Sequence, residues 1–464
     1  MSDYQYDGPI APDFDKPWVA RRMAQLEAPF RNFLTSEDGR LYFLFGGERS
    51  GRTTLLKIIE QHAVAMEART LPVFVDMKMA GSLPSVEKFL QSMFDHICLD
   101  ICYPYPRKVA RFFNSREMAL PDFREAFNDI LRSSDTRVQG ARFLFLVDNA
   151  DELARVAFAD ELFKDIITLL SGADYINDVA RYLNIVMTGG APLYNQAVAA
   201  NFPRKYKYWY NIEALPENAA RALVETMPGM AASPDLAASI LRLTGRQPYL
   251  LQYFMAQLDD LVGRGEPLTH AAVEQVATAC LEPRSRDNEV EPWFYDCFEV
   301  IKAQGAFPIY AGLAARQSLT WPEIRDIIKL QKPDARLSPL EQADRALDTL
   351  LFYGLVEQAA DEAYVVTGEL FKRWFEMNYP ASGGAAPDLY THYEAGMRRL
   401  LEQMGRDHPR YRDALVFQQR LSENIARARQ YGERDDFKSE RAEIVDQINA
   451  LSNDVLGVYL FEQR

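Results

Sequence analysis

Leu41-Tyr-Phe-Leu-Phe45, followed by Gly46-Gly-Glu-Arg-Ser-Gly51-Arg52-Thr53-Thr54, is the stretch on which the reading of this 464-residue chain turns. The five apolar residues read as a fully buried strand. The amphipathic stretch Thr53 to Met66 reads as the helix that follows. Between them the sequence fits GxxxxGK[ST], with arginine in the lysine position. The chemistry needs this order. Glycines let the backbone curl so that successive N–H groups point inward at phosphate oxygens, and the helix adds its positive N-terminal end. Gly46, Gly47, Glu48, Arg49, Ser50, Gly51, Arg52, Thr53 and Thr54 are therefore the candidate nucleotide-binding residues, with the Thr53 hydroxyl placed to ligate Mg2+. The bland alternative is an ordinary glycine-rich turn; the strand before and the helix after favour phosphate.

Arg52 is the departure from the pattern. Lysine is a compact point charge, whereas arginine is longer and planar. It can grip phosphate through two N–H groups while holding the γ-phosphate in a less productive position. Binding is thus better supported than hydrolysis.

Outward from this loop, short apolar runs alternate with helical patterns. Leu71 to Asp76, Phe143 to Val147, Leu183 to Met187 and Tyr208 to Ile212 read as further strands, with Asp160 to Leu170 among the helices between them. Continuous apolar strands separated by helices predict an α/β fold: a parallel sheet covered by helices on both faces. After residue 214 the strands stop. Pro216 to Met227, Pro234 to Leu243 and a long stretch from Pro248 to about Cys280 read as helices, and Glu282 to Glu291 as a linker. Trp293 to Trp374 reads as three helices followed by a small hairpin, the winged-helix pattern. Pro380 to Pro387 is a linker by composition, and Asp388 to Arg464 is helical. The apolar stripes there are Leu389, Tyr393, Met397, Leu400 and Met404; then Val416, Leu421 and Ile425; then Ile444, Ile448 and Leu451. The expected domains are 15–214 (P-loop nucleotide-binding), 215–282 (helical lid), 290–378 (winged helix) and 388–464 (C-terminal helical bundle).

The second chemical signal is Phe143-Leu-Phe-Leu-Val-Asp148-Asn149-Ala-Asp151-Glu152-Leu. An acid ending a buried strand downstream of a phosphate loop is where the second magnesium ligand belongs, so Asp148 joins Thr53 as a metal candidate. Many ATPases of this type follow that aspartate with a water-polarising glutamate. Asn149 stands there and cannot act as a base. Asp151 and Glu152 are candidate catalytic substitutes, or they only cap the next helix; both readings stay open. The fourth strand ends at Thr188-Gly-Gly-Ala-Pro192, where Thr188 either senses the γ-phosphate or simply opens a turn.

Composition narrows the class. Hydrophobic residues make up 48% and charged residues 25%, the balance of a folded chain and not of a disordered one. The net charge of −14 argues against nucleic acid as the main partner. Cys98, Cys102, Cys280 and Cys297 form no CxxC pair. Reduced cysteines, no signal-peptide pattern at the N-terminus and no apolar run of about 18 residues lead us to expect a cytoplasmic protein with no membrane partner.

The order of motifs resembles the STAND class of signal-transduction P-loop ATPases, in their bacterial form with a helical lid and winged helix. The residues that carry the resemblance are the phosphate loop, Asp148-Asn-Ala-Asp-Glu-Leu153, Thr188-Gly-Gly, and Thr244-Gly-Arg-Gln-Pro248-Tyr-Leu-Leu-Gln252. Trp18-Val-Ala-Arg21-Arg22 is similar to the motif that precedes the first strand in that class and lines the base side of the nucleotide, so Arg21 is a nucleotide-binding candidate by resemblance. Thr244 to Gln252 is similar to TGGHPYLLQ, whose proline packs near adenine, which makes Pro248 another. Residues 418–444 resemble a helical module of bacterial conflict and defence proteins. The resemblance implies an ATP/ADP-controlled switch, closed by ADP and opened by ATP to form a homo-oligomer. Its C-terminal module would recruit a protein effector on another chain, in an antiviral defence setting. Two alternatives stand beside it. One is a DNA-associated ATPase of origin-recognition or transposition-helper type. Against it, residues 293–376 hold nine Lys/Arg and thirteen Asp/Glu. The other is a degenerate P-loop scaffold with little or no hydrolysis.

Overall fold

A computed structural model of the chain describes residues 30, 33, 40–66, 70–78, 85–100, 117–132, 138, 141–170, 182–200, 207–282, 289–329, 337–379, 391–405, 408–431, 435–456 and 460–461. The first part builds one sheet. Its elements are β1 (Arg40–Phe45), α1 (Arg52–Met66), β2 (Thr70–Asp76), α2 (Val86–Asp100), α3 (Leu120–Leu131), β3 (Arg142–Asp148), α4 (Asp151–Arg155), α5 (Ala159–Leu170), β4 (Leu183–Gly189), α6 (Ala191–Ala199) and β5 (Lys207–Asn211). The strands lie in the order β2-β3-β4-β1-β5, all parallel.

The apolar runs explain the sheet. Every residue of β4 and all but the first of β1 and β3 are buried, as strands covered on both faces must be. Alternation then divides the faces. Tyr42 and Leu44 of β1 join Leu55, Leu56 and Ile59 of α1, together with Leu144, Leu146 and Val186, in one core. Phe43 and Phe45 face the other way into an aromatic layer. Phe45 meets Tyr194 at 5.2 Å, Trp209 at 5.1 Å and Phe352 at 5.6 Å between ring centroids. This is the α/β fold of the P-loop nucleotide-binding proteins, as the sequence leads one to expect.

Downstream come α7 (Glu217–Val224), α8 (Pro234–Thr244), α9 (Pro248–Gly263) and α10 (His270–Leu281). The single long helix expected from Pro248 to Cys280 is two. Gly265 takes a φ of 87°, a left-handed conformation that stops a helix, Pro267 follows, and the Thr269 side chain caps α10 by accepting from the Ala272 N–H. Next are α11 (Val290–Ala303), α12 (Phe307–Arg316), β6 (Ser318–Leu319), α13 (Trp321–Lys329), α14 (Pro339–Phe352), β7 (Val356–Gln358), β8 (Tyr364–Val366) and α15 (Glu369–Asn378). The hairpin expected from sequence gains a third strand, β6, which pairs with β8 in the order β6-β8-β7. Two residues give too little alternation for sequence to show that strand.

The chain divides into two compact units. The first holds everything up to Ala237 together with Arg246–Ala256 and Asp348–Gly354; the second holds Ala238–Gly245, Gln257–Leu347 and Leu355–Arg464. The start of α9 and the end of α14 thus belong with the sheet.

The second unit contains an aromatic cluster around α15, where Phe371 and Trp374 stack at 5.4 Å and Phe375 packs against Tyr310 at 5.0 Å. It also contains α16 (Thr391–Met404), α17 (Tyr411–Tyr431) and α18 (Asp435–Leu456). These three helices share a core of Met397, Leu400, Leu421, Ile425, Ile444, Ile448 and Leu451. Val416 was expected in that stripe, but it is 55% exposed; Ala414 and Ala428 fill the positions facing the core. Leu389 lies outside the described residues. Among the described residues no helix is long and apolar enough to cross a membrane.

Candidate functional site

The site sits at the C-terminal ends of β1, β3 and β4, where a parallel sheet places its ligands. Leaving β1, the Gly46 N–H donates to the Gly189 carbonyl at 2.9 Å and the Gly47 N–H to the Phe352 carbonyl at 2.8 Å. Those two groups anchor the loop to its surroundings. The loop then turns at Glu48 and Arg49, both exposed, with Arg49 at φ 60° and Gly51 at φ 85°. A residue with a Cβ is strained at such angles, and the loop places glycine at the more extreme one. Arg52, Thr53 and Thr54 open α1, where the backbone N–H groups have no intrahelical acceptor. The Ser50 hydroxyl is buried and has no hydrogen-bond partner among the described residues.

The strand ends supply the acids. Thr53 Oγ1 donates to Asp148 Oδ2 at 2.5 Å, and Thr188 Oγ1 donates to Asp148 Oδ1 at 2.8 Å. The structure therefore brings together Thr53, Asp148 and Thr188, which lie far apart in sequence. A hydroxyl and a carboxylate meeting at one point form a hard oxygen donor pair of the kind Mg2+ takes, with phosphate and water oxygens completing its shell. Among the described residues no cluster of three or more His, Cys, Asp or Glu offers a metal site independent of phosphate.

Arg52 points elsewhere. Its Nη1 bonds Asp151 Oδ2 at 2.9 Å, and both side chains are only 14% exposed. Asp151 also accepts from the Gly190 N–H at 2.9 Å and the Leu193 N–H at 3.1 Å. It thus caps the N-terminus of the neighbouring helix α6. Glu152 pairs with Arg155 at 2.8 Å on the surface.

Asn149 adopts φ 54°, a backbone that asparagine tolerates better than glutamate does. Its Nδ2 donates to Asp76 Oδ1 at 2.8 Å. Asp76 was not singled out in the sequence, although it ends a recognised strand as Asp148 does.

Two more groups close on the loop. Gln247 Nε2 donates to the Arg49 carbonyl at 3.2 Å while its Oε1 caps α9 through the Leu250 N–H at 2.8 Å. The Arg49 guanidinium lies over the Tyr249 ring at 4.3 Å. Pro248, half-buried, starts α9 between them. From the end of α14, the Tyr353 ring covers Gly47 so closely that a Cβ there would sit 2.4 Å from it. Arg21 lies outside the described residues.

No protein-family model and no curated protein matches the chain. Among solved structures, the chain is similar to the Aeropyrum pernix ORC2 protein in ADPNP–ADP complexes, at 13% identity and TM-score 0.41, over 81% of this chain and 96% of that one. The Aeropyrum pernix ORC1 protein in complex with DNA follows at 12% identity and TM-score 0.35, over 78% and 92%. The Thermotoga maritima RuvB Holliday junction branch migration motor shows 11% identity and TM-score 0.33, over 77% and 92%.

Proposed function

We propose that this chain binds Mg-ATP at the loop Gly46–Thr54 and works as a nucleotide-controlled switch with slow hydrolysis. The observation that carries the reading is the convergence on one loop of three kinds of element. The strand ends bring Asp148 and Thr188 to Thr53; the start of α9 brings Gln247 and Tyr249; the end of α14 brings Phe352 and Tyr353. A change of phosphates on the loop would be felt directly by residues 246–256 and 348–354. ADP and ATP would be read by those segments, Pro248 and Arg21 would serve the base, and Thr188 would sense the γ-phosphate. The three-helix segment α16–α18 would recruit a protein partner, and oligomerisation and an antiviral setting follow from the STAND resemblance.

The test is magnesium-dependent binding. Thr53→Ala and Asp148→Ala should weaken Mg-ATP binding more than metal-free ATP binding. Equal loss with and without magnesium refutes the assigned roles. Hydrogen exchange in residues 246–256 and 348–354 should differ between the ADP and ATP complexes; identical exchange refutes the switch.

The second reading is a DNA-associated ATPase. The order helix, strand, two helices and hairpin over 307–366, joined to a P-loop sheet, favours it. The exposed residues that begin α14 include Leu340, Glu341 and Asp344 and no base, which weakens phosphate attraction. A duplex titration decides: salt-dependent binding in the micromolar range or tighter supports the DNA reading.

A further inference from the structure

Two neighbouring strands end side by side in aspartate. Asp76 closes β2 and Asp148 closes β3, and the parallel register sets them opposite each other. Their occupancies differ. Asp148 accepts from Thr53 on one oxygen, and from Thr188 and the Asn149 N–H on the other. Both bonds to Asp76, from the Lys78 N–H at 2.9 Å and from Asn149 Nδ2 at 2.8 Å, fall on Oδ1. Among the described residues Oδ2 accepts none. The two acids that follow Asp148 are committed: Asp151 caps α6 and pairs with Arg52, and Glu152 pairs with Arg155.

We infer that Asp76 is the water-positioning residue for ATP hydrolysis, held in place by the Asn149 amide. The inference rests on the nucleotide reading above. The acid missing after Asp148 is supplied from the adjacent strand, and the amide that replaced it orients it. Phosphoryl transfer through a loose transition state needs a placed water more than a strong base. Asp76 accepts a hydrogen bond from that water and turns its lone pair toward the γ-phosphorus. The water oxygen forms the new P–O bond. The bond to the β–γ bridging oxygen breaks and its electron pair stays on ADP. The water proton leaves with the phosphate, so ATP and water give ADP and dihydrogen phosphate.

The experiment uses the full chain and three readouts: single-turnover hydrolysis, Mg-ATP affinity and binding of ADP with aluminium fluoride as a mimic of the transferring group. Asp76→Asn should slow hydrolysis by about 100-fold, the low end for a group acting on the attacking water. Mg-ATP affinity and melting temperature should stay unchanged, while the aluminium fluoride complex weakens in step with the rate. The reversed pair, Asp76→Asn with Asn149→Asp, should recover at least a tenth of the lost rate, because aspartate also tolerates the left-handed backbone at 149. Hydrolysis indifferent to Asp76, parallel loss of Mg-ATP binding and stability, or no recovery in the reversed pair overturns the inference. A wild-type chain that binds Mg-ATP but never turns it over also overturns it. A wild-type chain that binds no Mg-ATP overturns the nucleotide reading itself.

Discussion

Replacing Asp151 separates the two roles that the sequence leaves open for it, helix cap or catalytic base. Its carboxylate holds the Gly190 and Leu193 N–H groups and the Arg52 guanidinium. Asp151→Asn keeps an acceptor for α6 but removes the charge. Breaking a buried pair from one side costs about 3–5 kcal/mol. Both partners here retain 14% exposure, so water relieves part of that penalty. A loss of about 2–3 kcal/mol is the expected value. Asp151→Ala also removes the cap, which adds about 1 kcal/mol. For a unit of this size each kcal/mol lowers the melting temperature by about 2–4 °C, so Asp151→Ala should melt roughly 10 °C lower.

Arg52→Ala with Asp151→Ala leaves no orphaned charge, so the double variant should be more stable than the sum of the single losses implies. Urea unfolding of the four proteins gives the coupling. Losses that add within about 0.5 kcal/mol mean that the pair is not formed in solution. The catalytic readout is independent of stability. A cap predicts that Asp151→Asn hydrolyses ATP within about tenfold of wild type, whereas loss of a general base costs about 10²–10⁴-fold. Release of Arg52 toward the phosphates should also tighten Mg-ATP binding. Loss of turnover with a stable fold refutes the cap reading.

Three further outcomes are expected. Gly47→Ala drives a methyl group against the Tyr353 ring at 2.4 Å and should cost about 1–3 kcal/mol in urea unfolding; an equal cost in a Tyr353→Ala background shows that the ring is not seated there. Burial pushes the Cys280 thiol up to about 12, so its thiolate is scarce at pH 8; peptide mapping should find it unalkylated until the chain is denatured, and early alkylation refutes the burial. Truncation after Pro380 removes α16–α18, whose core is drawn from their own residues, and should leave nucleotide binding unchanged; a sharp fall in melting temperature together with lost binding makes the segment structural.

What sequence shows of this protein is what neighbours in sequence decide. The phosphate loop is legible because the glycines, the preceding strand and the following helix lie within about twenty-five residues, and the apolar runs of β1, β3 and β4 need only burial on both faces. Partners set by register or by long-range packing are not legible. Asp151 was visible as an acid near Asp148, but its function as a cap depends on β4 carrying Gly190 to it from 39 residues away. Asp76 ends a strand that is legible in the sequence, yet its place beside Asp148 depends on β2 pairing with β3. The contact of Phe352 and Tyr353 with Gly47 joins positions about three hundred residues apart. Position 149 shows the consequence for function. In sequence, Asn149 is a missing glutamate and argues for slow hydrolysis. In the fold, its φ of 54° disfavours glutamate and its amide reaches a second aspartate. The same residue that in sequence counts against catalysis therefore pairs, in the fold, with a second strand-end aspartate.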